Sequence, residues 1–109
     1  MLQNQDISKQ LKVDMLIATT GGDLPKIGKV QAIPSDPKLH SIISVHWMVQ
    51  ERAPHKPKWQ RYFRPKSGAT ALGNVAIQDI ILYGFDLTKN GALKKQSREY
   101  LQKACSSSS

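Results

Sequence analysis

The sequence predicts a mainly β domain, a small and strongly bent antiparallel barrel of about five strands followed by one C-terminal α-helix. Three observations predict it. Apolar residues recur with period two through most of the chain. The segments so marked are short and separated by tight links rich in Gly and Pro. Only the stretch after Thr88 changes to helical spacing. A parallel sheet would need a crossover of a dozen or more residues between successive strands, and these links leave no room for one. At 109 residues the chain fits a single domain, able to bury roughly two thirds of the surface its unfolded form exposes.

The elements follow in order. In "LKVDMLIAT" the residues Leu11, Val13, Met15 and Ile17 share one parity, and Gly21 and Gly22 supply a turn before Pro25. "KIGKVQAIP" is a second strand, closed by Pro34. "HSIISVHWMVQ" gives the cleanest alternation, with Ile43, Val45, Trp47 and Val49 on one face and Ser44, His46, Met48 and Gln50 on the other. "KWQRYFRP" is a fourth candidate. "NVAIQDIILYGFDL" holds a fifth, with a one-turn helix around Ala76 to Asp79. In "TKNGALKKQSREYLQKA" Thr88 or Asn90 can cap a helix on which Leu93, Tyr100, Leu101 and Ala104 recur at helical spacing. Residues 1–10 read as a polar extension, 11–103 as the domain, and 104–109, ending in four serines, as a disordered tail.

Composition narrows the partner class. Sixteen Lys and Arg against eight Asp and Glu leave a net charge of +8. A domain this basic attracts polyanions, so nucleic acid or an acidic protein is the expected partner. The single cysteine, Cys105, excludes an internal disulfide framework and a Cys-rich zinc site, and reads as a free thiol near the terminus. No run approaches the roughly 20 apolar residues of a membrane span, and "MLQNQDISKQ" lacks the order of a signal peptide. An intracellular location without membrane association is expected.

Catalytic chemistry finds little support. His40, His46 and His55 do not pair at metal-ligand spacing, and no H-E-x-x-H, C-x-x-C, G-x-S-x-G or phosphate-binding Gly-rich loop with its lysine is present. Asp79 and Asp86 lie seven residues apart in a strand-rich region, a spacing that argues for no paired-carboxylate site. No enzyme activity, cofactor or metal is expected.

The segment "RAPHKPKWQRYFRPK", Arg52 to Lys66, contains six Lys or Arg, three prolines and no acid. Lys56, Lys58, Arg61, Arg64 and Lys66 are placed to neutralise phosphates, and Trp59, Tyr62 and Phe63 to stack on bases. Lys94, Lys95 and Arg98 on the terminal helix offer a second basic patch. Strand parity would send Trp59, Arg61 and Phe63 one way and Gln60, Tyr62 and Arg64 the other, so at least one aromatic is structural. Two other readings stand beside this one. Trp47, Trp59, Tyr62, Tyr83 and Phe85 come from separate strand ends and, with Asp86 or Glu51, would form a cage for a methylated ammonium. A protein-interaction or homo-oligomeric barrel would instead use the Ile- and Val-rich strand 42–49 as a sheet edge.

The order "MLIATTGG…KIGKVQAI…ISVHWMVQ…WQRYFRPK…VAIQDIILYGFDLTKNGAL" resembles the small SH3-like barrels of the Tudor, BAH and chromo-barrel kind. More narrowly, it is similar to the barrel domain near the C-terminus of some transposon- and retroelement-derived proteins. The matching stretches are Leu16 to Ala18, Gly28 to Val30, Val45 to Trp47, and Asp79 to Leu82 leading to Leu87, within a likeness that covers residues 11–103. The resemblance implies a nuclear, chromatin- or transposition-associated module that binds DNA, histone-type peptides or other proteins and has no catalysis of its own. The loop "TTGGDLPK" lacks the aromatic that Tudor and chromo-type readers often place there, which disfavours a methyl-lysine cage. The charge excess favours nucleic acid.

Overall fold

The computed structural model describes residues 8–20 and 24–106. Within them the chain forms β1 (Leu16–Thr20), β2 (Pro25–Ala32), β3 (Ile42–Gln50), β4 (Phe63–Pro65), β5 (Leu72–Ala76), β6 (Ile80–Tyr83) and α1 (Lys95–Ser106). Single turns of 3-10 helix occur at Lys58–Gln60, Ala69–Ala71 and Ile77–Asp79. The chain is mainly β, as its period-two pattern predicts. The predicted turn at Gly21 and Gly22 and the side chain of Cys105 lie outside the described residues.

Every ladder is antiparallel, and β3 is the hub. Along one edge it pairs with β2, from Gly28↔Trp47 to Ala32↔Ser44. Along the other it carries β5 on its first half, from Ile42↔Ala76 to His46↔Leu72, and β4 on its last three residues, from Met48↔Pro65 to Gln50↔Phe63. β1 lies between β2 and β6. Strand 42–49 is therefore interior to the sheet and does not supply the free edge that an oligomerising strand would need.

Two expectations are refined. The fifth candidate divides into β5 and β6 at the anticipated one-turn helix, whose Ile77 and Gln78 amides donate to Ser41 and Leu39 carbonyls at 3.0 Å each. This raises the count to six strands. The barrel also does not close. Among the described residues no ladder joins β6 to β4 or β5, and the path β4-β3-β2-β1-β6 stays open. The fourth candidate is shorter than predicted because Pro57 directs its first half into the Lys58–Gln60 turn, leaving only Phe63–Pro65 extended.

Apolar packing occupies both faces of the sheet. Ile17 and Ala18 point to opposite sides of β1, yet both are fully buried. Ile17 joins Val30, Ile43, Val45, Val75 and Ile80 in one cluster. Ala18 joins Ile27, Phe63, Phe85, Leu93 and Leu101 in the other, so the second face is covered by the 85–93 loop and α1. The predicted helical face holds for Leu101 and Ala104, while Tyr100 is 40% exposed. Because Ala104 is buried and the helix runs to Ser106, the domain extends past the predicted boundary at residue 103. At the other end Ser8 is buried and the Tyr83 hydroxyl donates to Gln10 Oε1, so the last part of the polar extension also packs.

Local conformation overrides parity in two places. Asp14 has φ 73°, a left-handed conformation that Asp tolerates better than most residues. It breaks the first strand there, so Leu11 is buried while Val13 is 54% exposed. Thr88 does not cap α1; its Oγ1 accepts from the Ala92 amide, closing a turn from residue 88 to 92. Gly91 in that turn has φ 93°, and its carbonyl accepts from the Phe63 amide at 2.7 Å. A Cβ at Gly91 would lie 2.4 Å from the Phe63 oxygen, so the turn can dock on β4 only with glycine there.

Truncating Leu101, which is fully buried between α1 and the sheet, is expected to cost about 2–5 kcal/mol. Truncating the neighbouring Tyr100 should cost less than about 1 kcal/mol. Urea unfolding of Leu101→Ala and Tyr100→Ala compares the two, and equal losses would place the helix face wrongly.

Candidate nucleic-acid interface

Along β3 one face emerges from the core as the chain runs forward. Ile43 and Val45 are buried, Trp47 is half-buried, and Val49 is 37% exposed. Two glycines make room for the tryptophan. Gly28 on β2 is its cross-strand partner, and a Cβ there would stand 3.2 Å from Trp47 Cε3. Gly73 on β5 pairs with Val45, and a Cβ there would stand 2.0 Å from Trp47 Nε1. The indole therefore spreads over the backbones of both neighbouring strands. Glycine inside a strand costs roughly 0.5–1 kcal/mol relative to alanine, and here that cost is offset by the bed it leaves for the ring.

Cations border this face. The ammonium of Lys26 stands over the Trp47 ring, 5.9 Å from its centroid. Arg64 pairs with Val49 across the β3–β4 ladder, and directly opposed residues project to the same face, so Arg64 shares the side of Trp47. Lys66 lines a groove with Lys26, Trp47, Val49 and Thr70. Its backbone is held at both ends, the amide donating to the Trp47 carbonyl at 3.0 Å and the carbonyl accepting from His46 Nε2 at 2.7 Å. With a carbonyl as partner, that His46 nitrogen carries the proton. A second groove on the other side of Trp47 is lined by Thr19, Lys26, Asn74 and Asp79.

Of the rest of the basic segment, Lys56 and Arg61 are engaged in their own loop. Lys56 lies 3.4 Å from Glu51 and 3.8 Å from the centroid of the Tyr62 ring. Arg61 Nε donates to the Lys56 carbonyl at 3.3 Å, and the Lys58 carbonyl accepts from Gln50 Nε2 at 2.6 Å. Glu51 is the anchor, its amide donating to the Tyr62 carbonyl at 2.9 Å and its Oε2 accepting from the Tyr62 amide at 2.8 Å. That amide, opposed by partial desolvation and helped by the charges of Lys56 and Arg64, holds the Glu51 carboxyl below its ordinary 4.5. Lys58 is exposed. Lys94, Lys95 and Arg98 belong to the segment that covers the opposite face of the sheet, so they do not extend the Trp47 surface.

The five aromatics considered for a cage are not gathered at one opening. Trp47 and Tyr83 pack against the first apolar cluster, Trp59 and Phe85 belong with the second, and Tyr62 lies beneath Lys56. Asp86 borders a separate groove with Lys12, Asp14 and Lys29, and Glu51 already holds the Tyr62 amide. Comparison with protein-family models, curated proteins and solved structures found no match. Among the described residues no group of three or more His, Cys, Asp or Glu side chains could hold a metal ion. No helix among them is long and apolar enough to cross a membrane.

Trp47, Arg64 and Lys66 stand out in the sequence by residue type, and Lys26 does not. Its signal was present in "PKIGKV", where alternation puts Lys26 on the parity of Gly28. What was lacking was the register that sets Gly28 opposite Trp47.

Two outcomes follow from this geometry. Gly73→Ala should cost about 1–3 kcal/mol through collision with the indole, and most of that penalty should vanish in a Trp47→Ala background; additive losses in urea unfolding would mean the two do not touch. Because the Glu51 carboxyl is lowered, its contribution is fully present above 4.5 and is lost as pH falls through the folded value below that. The protection of the Tyr62 amide against hydrogen exchange, followed by NMR and taken relative to its intrinsic rate at each pH, should fall on acidification in the native chain and show no such step in Glu51→Gln.

Proposed function

We propose that this chain is a non-enzymatic interaction module that binds nucleic acid through the face formed by Lys26, Trp47, Val49, Arg64 and Lys66. The observation that carries the reading is the strand register. It brings cations from β2, from β4 and from just past β4 to the border of one half-exposed tryptophan. Lysine and arginine neutralise phosphates and release their counterions, which supplies affinity without sequence preference. The net charge of +8 adds long-range attraction.

The resemblance to SH3-like barrels of chromatin- and transposon-related proteins supports a role within such an assembly, in the nucleus. The antiparallel meander with its C-terminal helix accords with that resemblance, and the open ladder weighs against a fully closed barrel. A methyl-lysine or histone-type peptide reader is the weaker alternative, since the five aromatics are spread over separate clusters and the Lys26 charge beside Trp47 repels a methylated ammonium.

Fluorescence polarisation with labelled oligonucleotides at several salt concentrations tests the reading. Three phosphate contacts predict a log–log salt slope of about −2 to −3, and each of Lys26→Ala, Arg64→Ala and Lys66→Ala should lower its magnitude by about one unit or less. Lys94→Ala and Lys95→Ala, on the other side of the sheet, should leave it nearly unchanged. Affinity that is indifferent to salt, or retained in the triple variant at Lys26, Arg64 and Lys66, would exclude this face as the binding surface.

A further inference from the structure

We infer that the ligand of this face is a single strand, with one base stacked on the indole of Trp47 and its flanking phosphates on Lys26, Arg64 and Lys66. This rests on the nucleic-acid reading above and narrows it. In a duplex the bases stack on one another and offer only their edges to a protein. An aromatic ring lying on a sheet can meet a base face only where the base is unstacked. Trp47 is such a ring. Its benzo edge approaches Gly28 and its pyrrole nitrogen lies over Gly73, so its side chain is fixed before any ligand arrives and little rotamer freedom is lost on binding.

The surroundings suit a base with its backbone to one side. The group above the indole is the Lys26 ammonium, at 5.9 Å near the outer limit of a cation–π contact. It stands on an exposed, flexible stem, so an arriving base displaces it toward the adjacent phosphate, where its charge is better used. Val49, on the same face and 37% exposed, gives a neighbouring base or sugar an apolar contact. Asp79 lines the second groove, and its carboxylate repels phosphate there. The backbone is thereby directed along the side of Arg64 and Lys66, and the base edge toward Asn74 and Asp79.

The test uses Trp59→Phe, which leaves Trp47 as the one tryptophan, titrated with an oligothymidine and with a duplex of the same length at one salt concentration. The single strand is expected to quench Trp47 emission and to bind at least about ten times more tightly than the duplex. Replacing Trp47 by Ala should weaken single-strand binding by about 5- to 100-fold, with little change for duplex. Trp47→Phe should retain much of the affinity, and circular dichroism of each variant confirms that it is folded. Equal binding of both forms with unquenched Trp47 overturns the stacking inference while leaving the electrostatic reading in place. Binding of neither form overturns both.

Discussion

The nine-residue strand β3 imposes the constraint on which the rest of the structure depends. One of its edges is taken by β2 and the other is shared between β5 and β4. Once Gly28 stands opposite Trp47 and Gly73 opposite Val45, the indole has one resting place, over two backbones that lack side chains. A slip of β2 or β5 by one residue would replace Gly28 or Gly73 beside the ring by a Cβ-bearing residue and turn that strand's buried side chains to the other face, because side chains alternate with period two. The same register opposes Arg64 to Val49. The packing that fixes the sheet and the placement of the candidate binding groups are thus one set of pairings.

A second consequence comes from burying both faces of the sheet. Loop 85–93 and α1 cover one side, and the curl of β1, β2, β3, β5 and β6 encloses the other. The enclosure fails toward the β4 end, where Val49 is exposed and the ladder does not close. That failure is what leaves Trp47 half-open. A closed barrel would have buried the ring and the groove beside it, and the helical cover on the opposite face denies α1's basic residues any part in the same surface.

Much of the fold was legible in the sequence because period-two burial is a local property. The parity of Ile43, Val45 and Trp47, the one-turn helix before Ile80, and the terminal helix with Leu101 and Ala104 all follow from spacing. What was not legible depends on pairing between distant segments or on one backbone angle. Leu11 and Ile17 share one parity in the sequence, but the left-handed backbone of Asp14 separates them. Thr88 has the chemistry of a helix cap but closes a turn with Ala92. The candidate site shows the same division. Arg64, Lys66 and Trp47 could be singled out by type, whereas Lys26 entered only with the β2–β3 register, and Lys56 left when Glu51 and Tyr62 claimed it.

That last exchange bears on how charge density should be read. The acid-free run from Arg52 to Lys66 appears as an unbroken basic surface when written as a string, but one carboxylate outside it, Glu51, organises its middle. The carboxylate takes the Tyr62 amide and the Lys56 ammonium, and Arg61 closes the loop on the Lys56 carbonyl. Cations that fix a loop are poorer phosphate ligands, since engaging a ligand means giving up bonds already made. Lys26 and Arg64 on their strands and Lys66 just past β4 give none of the side-chain hydrogen bonds that close this loop. They flank an aromatic held by its own backbone bed, so they bind at lower cost. The local density of lysine and arginine in a sequence therefore locates the neighbourhood of a polyanion site, and the sheet register decides which of those charges face it.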